Sequence, residues 1–233
     1  ELGARAIFIL PRTFGSVGAM LTRRPFFLIT AVLLSCISFG QDHWAYRVGG
    51  FSNDALSDLV LDGSGNMFVT GEFGGNVALD GVELISQGSL DIVVAKLEPT
   101  GQLVWTKTFG GPGLDRGVSL ALGATGDLFV TGQFMGTVAF DGTELISQGG
   151  TQDMFIARLS ASDGSVVWAH QGGSADGVDT PNDIAVGGDQ MVVITGEFRG
   201  TGVFDAGTIT SITDPETMSP SVDIFVAAYN EDG

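Results

Sequence analysis

The sequence has 233 residues, of which 36 are glycine, with 44% hydrophobic residues, 16% charged residues and a formal net charge of −17. A surface this acidic repels phosphate backbones, so the composition argues against nucleic-acid binding. The glycines lack the every-third-residue spacing of collagen and are typical of a turn-rich all-β protein.

The amino-terminal segment is predicted to lie outside the fold. Residues 20–40 form a signal-peptide pattern, in which Arg23 and Arg24 precede an apolar run over 25–37 and small residues precede Gln41. Residues 1–19 are interpreted as a non-native extension upstream of the true start. The apolar run is shorter than a typical membrane span and lies close to the start, and a retained anchor is the alternative interpretation. We therefore expect a secreted or cell-surface protein with no membrane span in its mature chain.

Cys36 is the sole cysteine, and it lies inside the predicted signal peptide. An alternative interpretation makes it the lipidated residue of a bacterial lipoprotein processing site. With Cys36 removed, the mature chain has neither a disulfide framework nor a thiolate metal site. Its stability must then come from packing.

A long internal repeat organises the rest of the chain. Trp44, Trp105 and Trp168 recur 61 and then 63 residues apart. Two apolar segments recur with the same period. The first lies at residues 66–73, 127–134 and 190–198, and the second lies at residues 91–97, 153–159 and 223–229. A fixed period of this length is typical of stacked supersecondary units. The predicted units are 44–104, 105–167 and 168–233.

Four strands are predicted in each unit, with a two-stranded ribbon between the second and the third. The ribbon turns at Asp80-Gly81, a dipeptide that favours a tight hairpin. The third strand is almost continuously apolar, which suits a sheet that is covered on both faces. In the first unit the strands are predicted at 58–62, Met67–Phe73, Asp91–Leu97 and Leu103–Phe109, with the ribbon at 77–85.

The third unit departs from the other two at two loops. Its leading loop, residues 173–182, is longer than the matching residues 50–57 of the first unit, and the connection at 212–222 grows by several residues that include Pro215 and Pro220. Insertions of this kind usually lie on one rim of a repeat protein, often the binding rim. The third unit stops before its fourth strand, so we expect remaining blades beyond Gly233.

These patterns predict an all-β protein, a β-propeller built of four-stranded antiparallel blades, with about three blades visible and the ring incomplete in this fragment. Alternating Val, Ile, Phe and Leu side chains would fill the layers between blades. Trp105 and Trp168 are predicted to pack as wedges between neighbouring units.

The repeat resembles the bacterial β-propeller repeat family often labelled SBBP, over nearly the whole stretch from Trp44 to Gly233. The matching residues are Trp105 with Gly110-Gly111, Asp62 with Gly65-Asn66, Val69-Thr70-Gly71, and Asp153 through Arg158. Gly123 and Ala228 depart from the family pattern at an Asp and a Lys position. The resemblance implies secreted or cell-surface bacterial proteins, often with carboxy-terminal sorting or adhesion domains, and no shared catalytic residues.

A second resemblance concerns the tryptophans. The stretches 101–105 and 164–168 are similar to the tryptophan-docking turn of quinoprotein dehydrogenase propellers, in which Trp stacks between blades. The cofactor-facing residues of those enzymes have no counterpart in this sequence, so no cofactor is expected.

Groups that suit catalysis are sparse, and no catalytic residue is assigned. His43 and His170 are assigned structural or surface roles, and no nucleophile elbow or zinc cluster is present. Asp54, Asp115 and Asp179 occupy matched positions in the three leading loops, where carboxylate oxygens are candidate Ca²⁺ ligands. The alternatives are that each aspartate caps its own loop, or that a pair of them acts as a glycosidase acid and base.

The leading hypothesis is a non-catalytic binding or scaffold module, possibly serving adhesion, whose partner is an extracellular protein or glycan bound at the rim that carries residues 173–182. One alternative is an extracellular propeller enzyme that acts on polysaccharide through the rim aspartates. Another is a purely structural spacer within a large adhesin.

Overall fold

A computed structural model describes Trp44, Ala45, residues 47–205 and residues 207–233. The predicted extension at 1–19, the signal peptide at 20–40, Cys36 and His43 lie outside the described residues. Every regular element in the described part is a β-strand, which confirms the all-β class. That part contains no helix with the length and apolarity needed to cross a bilayer.

The first sheet contains four antiparallel strands and carries a ribbon. The strands are β1 Ala55–Leu61, β2 Met67–Phe73, β3 Asn76–Leu79, β4 Val82–Ile85, β5 Asp91–Leu97 and β6 Leu103–Phe109. The sheet order is β1-β2-β5-β6, and β3 pairs with β4 as the separate ribbon. The turn between β3 and β4 has positive φ at Asp80 and Gly81, as the hairpin prediction requires.

The second sheet repeats this topology. Its strands are β7 Arg116–Leu122, β8 Leu128–Met135, β9 Thr137–Phe140, β10 Thr143–Ile146, β11 Gln152–Leu159 and β12 Val166–Gly172. The order is β7-β8-β11-β12, with β9-β10 as the ribbon.

The third sheet has the same topology but only three strands in the described part of the chain. Its strands are β13 Thr180–Val186, β14 Met191–Arg199, β15 Thr201–Phe204, β16 Gly207–Thr210 and β17 Val222–Asn230. The order is β13-β14-β17, with β15-β16 as the ribbon. Strand β17 is therefore the last strand of this sheet among the residues that the structure describes.

Strands β2, β5 and β6 confirm the sequence predictions to the residue. The first strand was predicted wrongly, because β1 begins at Ala55 instead of Asp58. A register shift between Leu56 and Asp58 lets Ala55 and Leu56 pair with Glu72 and Gly71 of β2. A bulge of this kind has no clear sequence pattern.

The second sheet is buried on both faces, as its apolar third strand predicted. One face packs on the first sheet, and the other face packs on the third. Neighbouring residues of β11 show the two directions, since Phe155 faces the first sheet, Ile156 faces the third, and both are fully buried. Phe140 lies at the first of these layers, with its ring centroid 4.8 Å from that of Phe109 and 4.9 Å from that of Phe155.

The three tryptophans have equivalent surroundings. Each indole N–H donates to a backbone carbonyl in the turn that follows a third strand. The pairs are Trp44 to Pro99 at 3.0 Å, Trp105 to Ala161 at 3.2 Å and Trp168 to Glu231 at 3.0 Å. Trp105 belongs to the first sheet and Ala161 to the second, so the indole crosses the junction. Trp105 and Trp168 therefore pack at the junctions between neighbouring sheets.

A glycine with positive φ lies beneath each indole. The glycines are Gly101 at φ 87°, Gly164 at φ 75° and Gly233 at φ 102°. A Cβ atom added to Gly164 would stand 2.8 Å from the ring of Trp105. The turn therefore needs glycine both for its backbone conformation and for the approach of the indole.

Candidate functional site

The three aspartates predicted as calcium ligands make the same two hydrogen bonds in each unit. One carboxylate oxygen accepts from a backbone N–H at the start of the leading loop, and the other accepts from an N–H just past or at the end of the second strand. The donors are Gly50 and Gly74 for Asp54, Gly111 and Met135 for Asp115, and Ser174 and Arg199 for Asp179, at distances of 2.6 to 3.1 Å. Each aspartate thus ties a loop to a strand end.

Burial governs the acidity of these groups. Asp115 and Asp179 have no exposed surface, and desolvation raises the pKa of Asp115 to about 6 although its two hydrogen bonds oppose the shift. Desolvation likewise raises the pKa of Asp179. The neighbouring Asp91 raises the pKa of Asp115 further. At the other junction, burial raises the pKa of Asp153 to about 7, with a contribution from the charge of Asp179.

Each aspartate directly precedes the first strand of a different sheet. Among the described residues, no three His, Cys, Asp or Glu side chains form a group able to hold a metal ion. The contacts of Asp54, Asp115 and Asp179 agree with the loop-capping alternative, and calcium binding stays a prediction. His170 lies on β12 with its Nδ1 atom 2.7 Å from Asp205 Oδ2, which fits a surface role.

A contact that the sequence did not predict joins the first strands of all three sheets. The Ser119 hydroxyl oxygen on β7 lies 2.7 Å from Asp58 Oδ2 on β1 and 3.0 Å from Asp183 Oδ1 on β13. A hydroxyl has one proton to donate, so it serves one carboxylate at a time. The backbone N–H of Leu120 also donates to Asp58 Oδ2 at 3.0 Å. The three first strands therefore converge at Ser119.

Arg199 brings together the two loops in which the third unit departs from the repeat. Its guanidinium Nη1 donates to the carbonyl oxygen of Pro220 at 3.1 Å. Its aliphatic stem lies against Gly177, where an added Cβ atom would stand 2.7 Å from the Arg199 Cδ atom. The backbone N–H of Arg199 donates to Asp179. The leading loop at 173–182 and the connection at 212–222 are thus parts of one surface.

The longer connection is ordered by its own hydrogen bonds. Thr213 and Pro220 form an antiparallel bridge, and the Asp214 carboxylate accepts from the backbone N–H of Glu216 at 2.8 Å. The Ser221 hydroxyl donates to the Ile212 carbonyl at 2.7 Å. A surface loop with this many internal bonds presents its side chains in a fixed arrangement.

Apolar side chains are exposed on these two loops. Met218 is 76% exposed, Ile212 is 72% exposed and Val178 is 50% exposed. The acidic Asp176 and Glu216 lie beside them in sequence and are also exposed. We call this region the unit-3 surface, defined by Asp176, Val178, Arg199, Ile212, Glu216 and Met218.

In comparisons with known proteins, no family model matches the chain and no curated protein matches it significantly. The resemblance to the SBBP repeat therefore stays a prediction from the quoted motifs.

Proposed function

We propose that the chain forms blades of a secreted or cell-surface β-propeller, which acts as a non-catalytic binding or scaffold module through its unit-3 surface. Each four-stranded sheet would be one blade. The shared topology, the docking of tryptophans across the junctions and the convergence of the first strands at Ser119 support the propeller architecture.

The observation that carries the binding proposal is the joining of the two third-unit loops by Arg199. The first two units have leading loops of the same length and ribbon-to-strand connections that differ by one residue, whereas the two longer loops of the third unit meet on one ordered surface. Exposed apolar groups grouped with polar ones favour a contact surface over a solvated one.

The chemistry of the unit-3 surface favours an extracellular protein as the partner. Methionine is enriched at protein interfaces, and Met218 and Ile212 offer apolar contact area. The net charge of −17 would attract a partner with a basic rim. An extracellular glycan is the other partner class that the sequence predicts, and it is an outcome of the test below.

The contacts of the aspartates favour a binding module over the polysaccharide-enzyme alternative. Asp115 and Asp179 have no exposed surface, and both oxygens of each carboxylate already accept backbone hydrogen bonds. A general acid or base must come within hydrogen-bond distance of the proton that it transfers. In this arrangement neither side chain faces a substrate.

The test uses point substitutions, because deletion of residues 173–182 would also remove the buried Asp179. The immobilised chain is screened for retention against a library of secreted proteins and against a glycan array. Met218→Asp and Ile212→Asp should abolish retention, since both side chains are exposed and neither supports the fold. Ile85→Asp is the matched control, because Ile85 is 60% exposed on the ribbon of the first sheet.

Retention of one ligand class by the wild-type chain and the Ile85 variant, with loss in the Met218 variant, would support the proposal. Retention that is unaffected by both unit-3 substitutions would contradict it. No retention from either library would favour the spacer alternative.

A further inference from the structure

Two buried aspartates in the third strands of the first two sheets have one carboxylate oxygen that is not hydrogen-bonded. Asp91 on β5 and Asp153 on β11 have no exposed surface. Oδ2 of each residue accepts from a backbone N–H in the connection before the strand, that of Gln87 or of Gln148, at 2.9 Å. Oδ1 is buried in both residues and accepts no hydrogen bond. The same unsatisfied oxygen thus occurs at the same position of two sheets.

A second buried carboxylate lies beside each of these residues. The backbone N–H of Asp115 donates to the carbonyl oxygen of the residue before Asp91 at 2.9 Å. The N–H of Asp179 makes the same contact, also at 2.9 Å, with the residue before Asp153. Each leading-loop aspartate therefore meets the third-strand aspartate of the preceding sheet at the junction between the two sheets.

The two carboxylates of a junction are close enough to influence each other. Burial is the larger cause of the raised pKa of Asp115, and the charge of Asp91 raises that pKa further. At the second junction, burial and then the charge of Asp179 raise the pKa of Asp153. Like charges in a shared site disfavour the ionised form in this way.

A pair of small residues brings the two carboxylates of each junction to the same loop. A Cβ atom added to Gly110 would overlap the carboxylate of Asp91, and one added to Gly173 would overlap that of Asp153. The next residue of the loop, Gly111 or Ser174, donates its backbone N–H to the leading-loop aspartate. The third-strand carboxylate thus lies against a bare Cα atom, which offers no hydrogen-bond donor.

The negative charge of these pairs is not balanced by a side chain. Among the described residues, no Lys, Arg or His side chain forms an ion pair with any of the four aspartates. Burying a carboxylate is unfavourable unless a positive charge or further hydrogen bonds compensate it. Donor sets made only of oxygen favour hard cations over transition metals. Ca²⁺ accepts irregular oxygen shells, whereas Mg²⁺ requires near-ideal octahedral geometry and gives up its water reluctantly.

We propose that each of these two junctions binds one Ca²⁺ ion between its two aspartates, Asp91 with Asp115 and Asp153 with Asp179. The unsatisfied Oδ1 of the third-strand residue is one ligand. The leading-loop carboxylate is the other, because each of its oxygens keeps a lone pair beyond the one that its backbone donor uses. Calcium takes about six to eight oxygens, so backbone carbonyls and waters complete the shell. The ion would then connect adjacent sheets within the chain.

This inference is independent of the unit-3 surface and of the number of blades. The competing account of the same four residues is that a proton, and not a metal ion, neutralises one carboxylate of each pair. The two accounts differ in whether added Ca²⁺ binds and stabilises the chain.

The first test measures Ca²⁺ binding by isothermal titration calorimetry on the full chain, after metal is removed with EDTA and the EDTA is dialysed away. The wild-type chain should bind two ions. Asp91→Asn and Asp153→Asn should each lose one ion, and the double variant should lose both. Asparagine keeps an oxygen for the backbone donor and places its amide at the unsatisfied Oδ1 position, so the fold should be retained. Glu144→Gln is the control, because it removes one exposed negative charge from the ribbon and should still bind two ions.

Thermal unfolding in EDTA and in saturating Ca²⁺ gives a second readout. Calcium should raise the melting temperature of the wild-type chain by several degrees, since an ion that binds only the folded chain stabilises it, and Mg²⁺ should raise it less. In EDTA, Asp91→Asn should be at least as stable as the wild-type chain, because the amide removes an uncompensated buried charge. Its gain in melting temperature on addition of calcium should be smaller than that of the wild-type chain.

The proton account predicts no saturable Ca²⁺ binding and no calcium-dependent rise in melting temperature, and either result would overturn the proposal. Binding by Asp91→Asn and Asp153→Asn that matches the wild-type chain would overturn it as well. Loss of binding in Glu144→Gln would show that calcium associates with the acidic surface in general, which also contradicts a site at the junctions.

Discussion

The indole N–H of Trp105 donates to the carbonyl oxygen of Ala161, which lies 56 residues later in the chain and in the next sheet. The same carbonyl accepts from the Lys96 ammonium at 3.0 Å. Trp168 repeats the contact one sheet further on, with Glu231 as acceptor and with Arg158 in the place of Lys96. The junctions between sheets are therefore fixed by a polar contact as well as by apolar layers.

Replacement of Trp105 should destabilise the protein through this contact. Trp105→Phe removes the hydrogen bond and part of the ring, with an expected loss of about 1 to 2 kcal/mol in the free energy of unfolding. Trp105→Ala should cost about 3 to 5 kcal/mol, because it also leaves a cavity. Urea unfolding measures both. Val104→Ala is the control on the same strand, because Val104 is 47% exposed; an equal loss in all three variants would contradict the role of the junction.

The docking glycines should resist substitution more than other glycines of the same conformation. Gly164→Ala introduces a Cβ atom 2.8 Å from the Trp105 ring at a residue with φ of 75°. Gly126→Ala is the matched control, since Gly126 has φ of 89° with open space around its Cβ position. Both carry backbone strain of about 1 kcal/mol, and Gly164→Ala should lose roughly 1 to 3 kcal/mol more through displacement of the indole. Equal melting temperatures for the two variants would show that the ring moves at no cost.

Stability should decrease as pH rises from 4.5 to 8. The pKa of Asp153 is raised by burial to about 7 and that of Asp115 to about 6, from 3.8. The unfolded chain loses these protons at lower pH than the folded chain does, so the free energy of unfolding is highest below the unfolded pKa and falls until pH passes the folded pKa. A pKa that is higher by one in the folded chain than in the unfolded chain corresponds to about 1.4 kcal/mol, so the two raised pKa values together predict a decrease of several kcal/mol.

Asp153→Asn tests the assignment of this pH dependence. The amide cannot ionise, so the variant should show a clearly flatter profile across the same range in urea unfolding at each pH. An unchanged slope would place the pH dependence on other groups, and a stability that rises toward pH 7 would contradict the raised pKa values.

Two ion pairs should differ in their contribution to stability. The Arg158 guanidinium lies 2.7 Å from the Asp127 carboxylate, with both side chains mostly buried, and it also donates to the Glu231 carbonyl. Arg116 lies 3.6 Å from Glu72 and is 39% exposed. Arg158→Met should cost about 2 to 3 kcal/mol, and Arg116→Met should cost less than about 1 kcal/mol. Thermal unfolding at low and high salt measures both, and a reversed order would refute the comparison.

The sequence predicted the strands wherever local pattern decides structure. Alternation of side chains marks Met67–Phe73, and a single dipeptide, Asp80-Gly81, marks the ribbon turn. The start of β1 was missed, because the residues before Asp58 have no apolar alternation and pair only through a bulge.

The equivalence of the three leading-loop aspartates was also predicted, since it follows from spacing alone. The second backbone donor to each of them was not predicted, because it lies 20 residues later at a strand end. The contact of Ser119 with Asp58 and Asp183 was missed because serine stands where the other two units have aspartate. Arg199 and Pro220 meet only in the folded chain.

Each tryptophan precedes its acceptor in the chain, so the contacts between sheets all run in the same direction along the sequence. A sheet that has just emerged during synthesis already carries, on its last strand, the indole that the following turn must meet. The sheets can therefore fold one after another from the amino end. Each folded sheet provides the surface on which the next sheet packs.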